Sequence, residues 1–257
     1  MNRLRMWAIH SALWLYIGTL VYTALRAPLH LPLLVFIFPL SALSFVAFSA
    51  LHAWETEGGA RALAFIGITI GIGFAAEWVG VKTGWPFGAY TYSNRMGGHI
   101  FGVSPFVPPA WFMMGYVAWR LGEWLAAERH RAWQILLAAW CMTAWDLLID
   151  PIMVHQNHWT WLEPGAYFGI PAQNYAGWFF TAALMYTLYW RLARPATPHP
   201  AAVRLPLLAY TATWLFDTLI AWQAGLHGAA VAGFWGMGGL ALAAWARPIP
   251  SNPETRR

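Results

Sequence analysis

Charge is what this sequence has least of. Only 10% of its 257 residues are Asp, Glu, Lys or Arg, and 59% are hydrophobic. A typical soluble domain carries roughly 25% charged residues, so a soluble globular protein is excluded. Cysteine is nearly absent as well. Cys141 stands alone inside an apolar run, which rules out an intrachain disulfide and leaves the redox compartment unspecified. Lysine occurs once, at Lys82, and nothing resembling a nucleotide-binding or metal-binding motif is present.

Long apolar runs fill the rest. They occur at about 6–25, 31–52, 62–81, 106–125, 133–152, 173–191, 205–224 and 228–246. A membrane-spanning helix needs about 20 such residues. The pattern predicts an all-α, polytopic membrane helix bundle of about eight transmembrane helices, with no room for a sizeable soluble domain. Residues 1–250 are expected to form one transmembrane domain and 251–257 a short disordered tail. The first run follows Arg3 and Arg5, is too long for a signal-peptide core and lacks a clear small-x-small cleavage site, so a retained helix is expected.

The net charge of +5 is a topology signal rather than a nucleic-acid footprint. With the N- and C-termini cytoplasmic, Arg3, Arg5, Arg61, Arg120, Arg129, Arg131, Arg191, Arg194, Arg204, Arg247, Arg256 and Arg257 fall inside. Arg26, Lys82 and Arg95 fall outside. Such an imbalance is the positive-inside asymmetry expected of a chain in the cytoplasmic (inner) membrane of a prokaryote. Two long connections, 82–105 and 153–172, then lie on the outer side, rich in Gly, Pro and aromatic residues. The glycines of the third run (Gly67, Gly71, Gly73, Gly80) and the last one are read as close-packing positions.

Against this apolar background the stretch "WDLLIDPIMVHQNHW" places Asp146 and Asp150 four residues apart, on one helical face. Glu77 and Asp217 lie in two other runs. At a rise of 1.5 Å per residue, Asp146, Asp150 and Asp217 sit roughly 20, 26 and 18 Å from the inner ends of their helices. All four acids are therefore expected in the outer half of the bilayer. An intramembrane charge costs at least about 2.5–3.5 kcal/mol, and no lysine is at hand to offset it. Carboxylates gathered in low dielectric cannot all ionise, and one that keeps its proton is what a general acid requires. A structural reading stands beside this for each acid alone. Asp150 precedes Pro151, a common place for a helix to end.

His155 and His158 form an H-x-x-H pair, but the other histidines are scattered singly. Hydrogen bonding at the interface, or support of the acids, fits them better than metal binding. Of the 19 Trp, 10 Tyr and 15 Phe, much is interfacial belt. Trp78, Trp85, Phe87, Tyr90, Trp145, Trp159 and Trp178 lie near the acids and could line a pocket for a long apolar ligand, their ring faces stabilising a cation.

"AEWVGVKTGWPFGAYTYS" (76–93), "AWDLLIDPIMVHQNHWTW" (144–161) and "GAYFGIPAQNYAGWF" (165–179) resemble the CruF-type carotenoid hydratases, an integral-membrane family of carotenoid biosynthesis. The resemblance rests on Glu77 with Thr83-Gly84-x-Pro86-Phe87-Gly88-x-Tyr90, on Asp146-x-x-x-Asp150-Pro151, and on Pro171-x-x-Asn174-x-x-Gly177-Trp178. It implies addition of water across the terminal C1=C2 double bond of an acyclic carotenoid end of the lycopene or γ-carotene type. For that reaction the acids gathered at one depth, Glu77, Asp146, Asp150 and Asp217, are the expected catalytic residues. The aromatic residues named above, with His155, His158 and Asn174, would bind substrate. No cofactor or metal is implied. The expected partners are the carotenoid from the lipid phase, water, membrane lipid and other enzymes of the same pathway, with no nucleic acid.

Three other readings use the same residues. A carotene cyclase begins with the same protonation. A proton-coupled transporter also needs intramembrane acids, although no inverted halves are visible. A pigment-binding protein needs the aromatics but not acids at one depth. A retinal pump is disfavoured, since the seventh run has Asp217 and no lysine.

Overall fold

The computed structural model describes residues 3–127, 129–195 and 200–248. The expected tail, 251–257, lies outside the described residues. Eight α-helices follow one another: α1 (Arg3–Arg26), α2 (Ile37–Glu57), α3 (Gly59–Thr83), α4 (Val107–Leu125), α5 (Arg131–His155), α6 (Ala172–Ala193), α7 (Arg204–Gln223) and α8 (His227–Ala246). Five of them (α1, α2, α3, α5 and α8) are individually long and apolar enough to cross a membrane. The other three are shorter on apolar content. Thus α4 carries Arg120 and Glu123, and α6 opens on Gln173 and Asn174.

The most buried helices are α4 and α5. The fourth packs against α2, α3, α5 and α7, and the fifth against α4, α6 and α8. Polar side chains stitch the helices across their contacts. Tyr16 of α1 pairs with Thr213 of α7 at 2.7 Å, and His52 Nδ1 of α2 with the Tyr116 hydroxyl of α4 at 2.7 Å. Tyr186 of α6 donates to the Gly115 carbonyl of α4 at 2.9 Å. In an apolar medium each such group needs a partner, so these bonds also fix which helix faces meet.

One end of the bundle is ionic. Arg120 Nη1 donates to Glu57 Oε1 at 2.7 Å and to Glu123 Oε2 at 2.9 Å, with all three side chains at 2% exposure or less. Arg131 lies 3.4 Å from Glu123. Counted from sequence alone, Arg120 is one of many inner-side cations, and Glu57 and Glu123 have no role. In the fold they join α2, α4 and α5. Breaking such a buried set by removing one partner costs about 3–5 kcal/mol.

The opposite end is closed by the two long connections, which meet. β1 (Tyr90–Tyr92) pairs antiparallel with β2 (Trp159–Trp161), setting Tyr90 opposite Trp161 and Tyr92 opposite Trp159. Both connections therefore share one side. The Ser93 N–H donates to the His158 carbonyl at 2.9 Å and extends this lid.

Pro151 does not end its helix. α5 runs through it to His155, so the alternative reading of Asp150 as a helix-terminal residue does not hold. The cost of an interior proline is the missing N–H to the carbonyl four residues back. That carbonyl, of Leu147, instead accepts the Tyr167 hydroxyl at 2.8 Å. A loop tyrosine thus satisfies the acceptor that Pro151 leaves free, and the helix carries Asp150 intact to the lid. The glycine expectation holds in part. A side chain at Gly73 would collide with Trp111, one at Gly233 with Leu148 and one at Gly238 with Trp214, whereas Gly67, Gly71 and Gly239 face open space.

Candidate functional site

Beneath the lid, α3, α4, α5 and α6 enclose a cavity of about 40 Å³. Glu77, Asp146, Asp150 and Asn174 supply its polar wall; Phe87, Tyr90, Tyr92, Val107, Trp159, Trp161 and Trp178 supply the rest. The cavity has room for at least one water.

The three carboxylates are buried, at 4%, 1% and 1% exposure, and each is held differently. Donors converge on Glu77: the Tyr90 hydroxyl and, at 2.6 Å, the Tyr92 hydroxyl reach Oε2, while Trp111 Nε1 reaches Oε1 at 3.0 Å. Three donors on one carboxylate stabilise an anion. Asp150 accepts from Trp159 Nε1 at 2.6 Å and from Asn174 Nδ2 at 2.7 Å. Asp146 accepts from the same Asn174 nitrogen, at 2.8 Å, on Oδ2 alone. Its Oδ1 takes no hydrogen bond among the described residues.

The local reasons are legible. The four-residue spacing of Asp146 and Asp150 puts both on the α5 face that meets α6, where Asn174 lies in the first turn. Alternation along β1 and β2 turns Tyr90, Tyr92, Trp159 and Trp161 toward the cavity and leaves Thr91 and Thr160 exposed. Gly73 lets Trp111 lie against α3 close enough to reach Glu77. Trp111 in turn stacks on Trp178 at 3.9 Å between ring centroids, and Trp145 meets Trp178 edge-on at 6.0 Å.

Electrostatics outside the helices follow burial. Burial first, then the Glu77 charge, pushes the Tyr90 and Tyr92 hydroxyls well above the ordinary phenol range, so both remain donors. Burial, then Asp146 and Asp150, pushes Tyr167 up to about 12. Burial, then Arg95, lowers His158.

Of the residues singled out in the sequence, Glu77, Asp146, Asp150, Phe87, Tyr90, Trp159, Asn174 and Trp178 come together at the cavity. Others do not. Asp217 is buried on α7, and its electrostatic neighbours are Trp145 and Tyr16 rather than the three acids. Trp145 meets Trp178 edge-on but does not line the cavity. Trp78 and Trp85 are 44% and 69% exposed. His155 is exposed, and His158 engages Gln156 and stacks near Phe38. Among the described residues, no three His, Cys, Asp or Glu side chains gather as a metal-ligand set. Tyr92, Trp111 and Trp161 were not anticipated. A signal existed for two of them: "YTY" and "WTW" are aromatic–Thr–aromatic alternations, the period of a strand with one wet face.

A family model described as "carotenoid biosynthesis protein" matches residues 14–240, most of the chain. The chain belongs to the carotenoid biosynthesis protein family. Membership agrees with the resemblance carried by the three motif stretches and with a membrane-embedded helical bundle. Within the curated proteins, the chain is similar to the bisanhydrobacterioruberin hydratase of Haloarcula japonica, with 32% identity over 130 residues. That match covers 49% of this chain and 44% of the relative, so it spans less than half the length of that protein. No solved structure matches the chain.

Proposed function

We propose that this family member is a carotenoid hydratase that adds water across the terminal C1=C2 double bond of an acyclic carotenoid end, in the cytoplasmic membrane of a prokaryote. One observation carries the reading: three carboxylates from two helices meet in one small, aromatic-walled cavity with room for water. The similarity to a protein named as a hydratase supports the same class.

The chemistry needs an acid, a shielded cation and one water. Asp146 is suited to give its proton to C2, because its Oδ1 is the carboxylate oxygen without a hydrogen-bond partner. The electron pair of the double bond forms the new C–H bond and leaves a tertiary cation at C1. Trp178, stacked on Trp111, lines the cavity and is the aromatic residue suited to stabilise that cation. The water oxygen bonds to C1, and a proton from that water passes to an ionised neighbour, Asp150 or Glu77. The cluster ends with the number of protons it began with, and no redox partner is used. A water in the cavity can carry the proton from the accepting carboxylate back to Asp146 before the next turnover, while Asn174 holds Asp146 and Asp150 in register.

An isoprenoid end group is larger than about 40 Å³, so entry requires the lid or the aromatic wall to move. Delivery from the lipid phase suits so apolar a substrate. The deciding experiment is expression of the chain in cells accumulating lycopene or γ-carotene, followed by mass analysis of the pigments. A product heavier by one water supports hydration. An isomer of unchanged mass means that the chain's own double bond traps the cation, and unchanged pigments leave the hydratase reading without support.

A further inference from the structure

At the ionic end of the bundle, far along α5 and α6 from the carboxylates, a larger concavity of about 350 Å³ is lined by Arg131, Trp190, Arg191, Arg194 and Pro195. It forms where the last turn of α6 meets the first turn of α5. Arg131 is the first residue of α5, so its backbone lies at the positive end of that helix dipole. Arg194 ends α6 in a left-handed conformation, with φ of 49°, and the chain turns there so that Pro195 becomes a wall of the concavity.

Three arginines thus line one pocket. Arg191 and Arg194 form no ion pair among the described residues. Arg131 is only partly satisfied, by Gln134 and by Glu123 at 3.4 Å. A positive-inside bias requires cations on this side of the membrane but does not require them around a cavity. Trp190, 36% exposed at the rim, is a residue type suited to the headgroup level. Planar, multi-donor guanidinium groups match phosphate oxygens, and basic pockets between helices on the cytoplasmic side receive anionic headgroups.

We infer that this pocket binds a phosphate group, carried either on the headgroup of an anionic membrane lipid or as soluble phosphate. The site is independent of the carboxylate cavity and of the reaction proposed for it.

The test uses the purified full-length protein and its R191Q/R194Q variant, both in detergent. Native mass spectrometry measures retention of phosphatidylglycerol against phosphatidylcholine, and thermal unfolding is followed with and without inorganic phosphate. Wild type is expected to retain phosphatidylglycerol preferentially, and the double variant to lose that preference by about tenfold or more, at roughly a headgroup's attraction per arginine. Stabilisation by inorganic phosphate that disappears in the double variant assigns the site to soluble phosphate instead. Equal retention of both lipids together with no phosphate effect overturns the inference, as does an unchanged lipid preference or phosphate effect in the double variant. Equal unfolding temperatures of the two proteins without added ligand establish that the variant is folded.

Discussion

Asp146 and Asp150 are held by the same nitrogen: Nδ2 of Asn174 donates to both, at 2.8 and 2.7 Å. One amide group therefore fixes the relative positions of two buried carboxylates on successive turns of α5. Replacing Asn174 by Ala removes both bonds, leaving Asp146 without its hydrogen bond and Asp150 with Trp159 alone. A hydrogen bond to a charged group is worth about 1.5–3 kcal/mol, so kcat should fall roughly 10- to 100-fold. Pull-down of the carotenoid by the N174A protein checks that binding survives; wild-type turnover in this variant would remove Asn174 from the account.

The proposed mechanism gives the three acids separable roles. Asp146→Asn keeps size and most hydrogen bonding but cannot supply the proton. It should abolish turnover while the protein still inserts and binds carotenoid. Asp150→Asn and Glu77→Gln should each lower kcat by at least about 100-fold, the lower range for a general acid or base. Asp217→Asn should act mainly on stability, because Asp217 is not at the cavity. Near-normal hydration by all three cavity variants would place the chemistry elsewhere.

In the proposed mechanism Tyr92 acts through Glu77. Its hydroxyl lies 2.6 Å from Oε2, so Tyr92→Phe should lower kcat about tenfold. A double-mutant cycle gives the sharper reading. In a Glu77→Gln background the Tyr92→Phe change should have little further effect. Fully additive losses would mean that the tyrosine serves the lid and not the carboxylate.

Metal independence is the expected behaviour of the reaction as proposed, since its proton donor and acceptors are all carboxyl groups. Purified protein treated with a strong chelator should retain its hydration activity. Loss of activity with rescue by one added metal would recast the acids, or His155 and His158, as ligands.

Topology can be read with reporter fusions. Fusions after residues 100 and 165 should report outside, since β1 and β2 bring both long connections to one side. Fusions after residues 60, 128 and 198 should report inside. A split result for 100 and 165 would contradict the β1–β2 pairing itself.

The one-dimensional pattern was enough for the membrane bundle and for the carboxylates worth asking about. Apolar runs of spanning length and a scarcity of charge leave few other solutions, and an acid in such a run stands out because burying it is costly. The spacing of Asp146 and Asp150 also determined that they share a face, because a helix has a fixed pitch. Which acids meet was beyond the sequence. Glu77 joins the α5 pair while Asp217, at a similar depth, does not, because depth is set by position along a helix and neighbourhood by how helices pack. The helix continues past Pro151, and Tyr167, 16 residues on in a loop, donates to the Leu147 carbonyl that the proline leaves free. The lid depends on two strands of three residues each, too short to be read singly and stable only once paired and seated on the helices. The buried Glu57–Arg120–Glu123 set was hidden for the same reason. Its members are ordinary helix-end charges until α2 and α4 are brought together, and only that packing turns them into a desolvated, mutually dependent cluster.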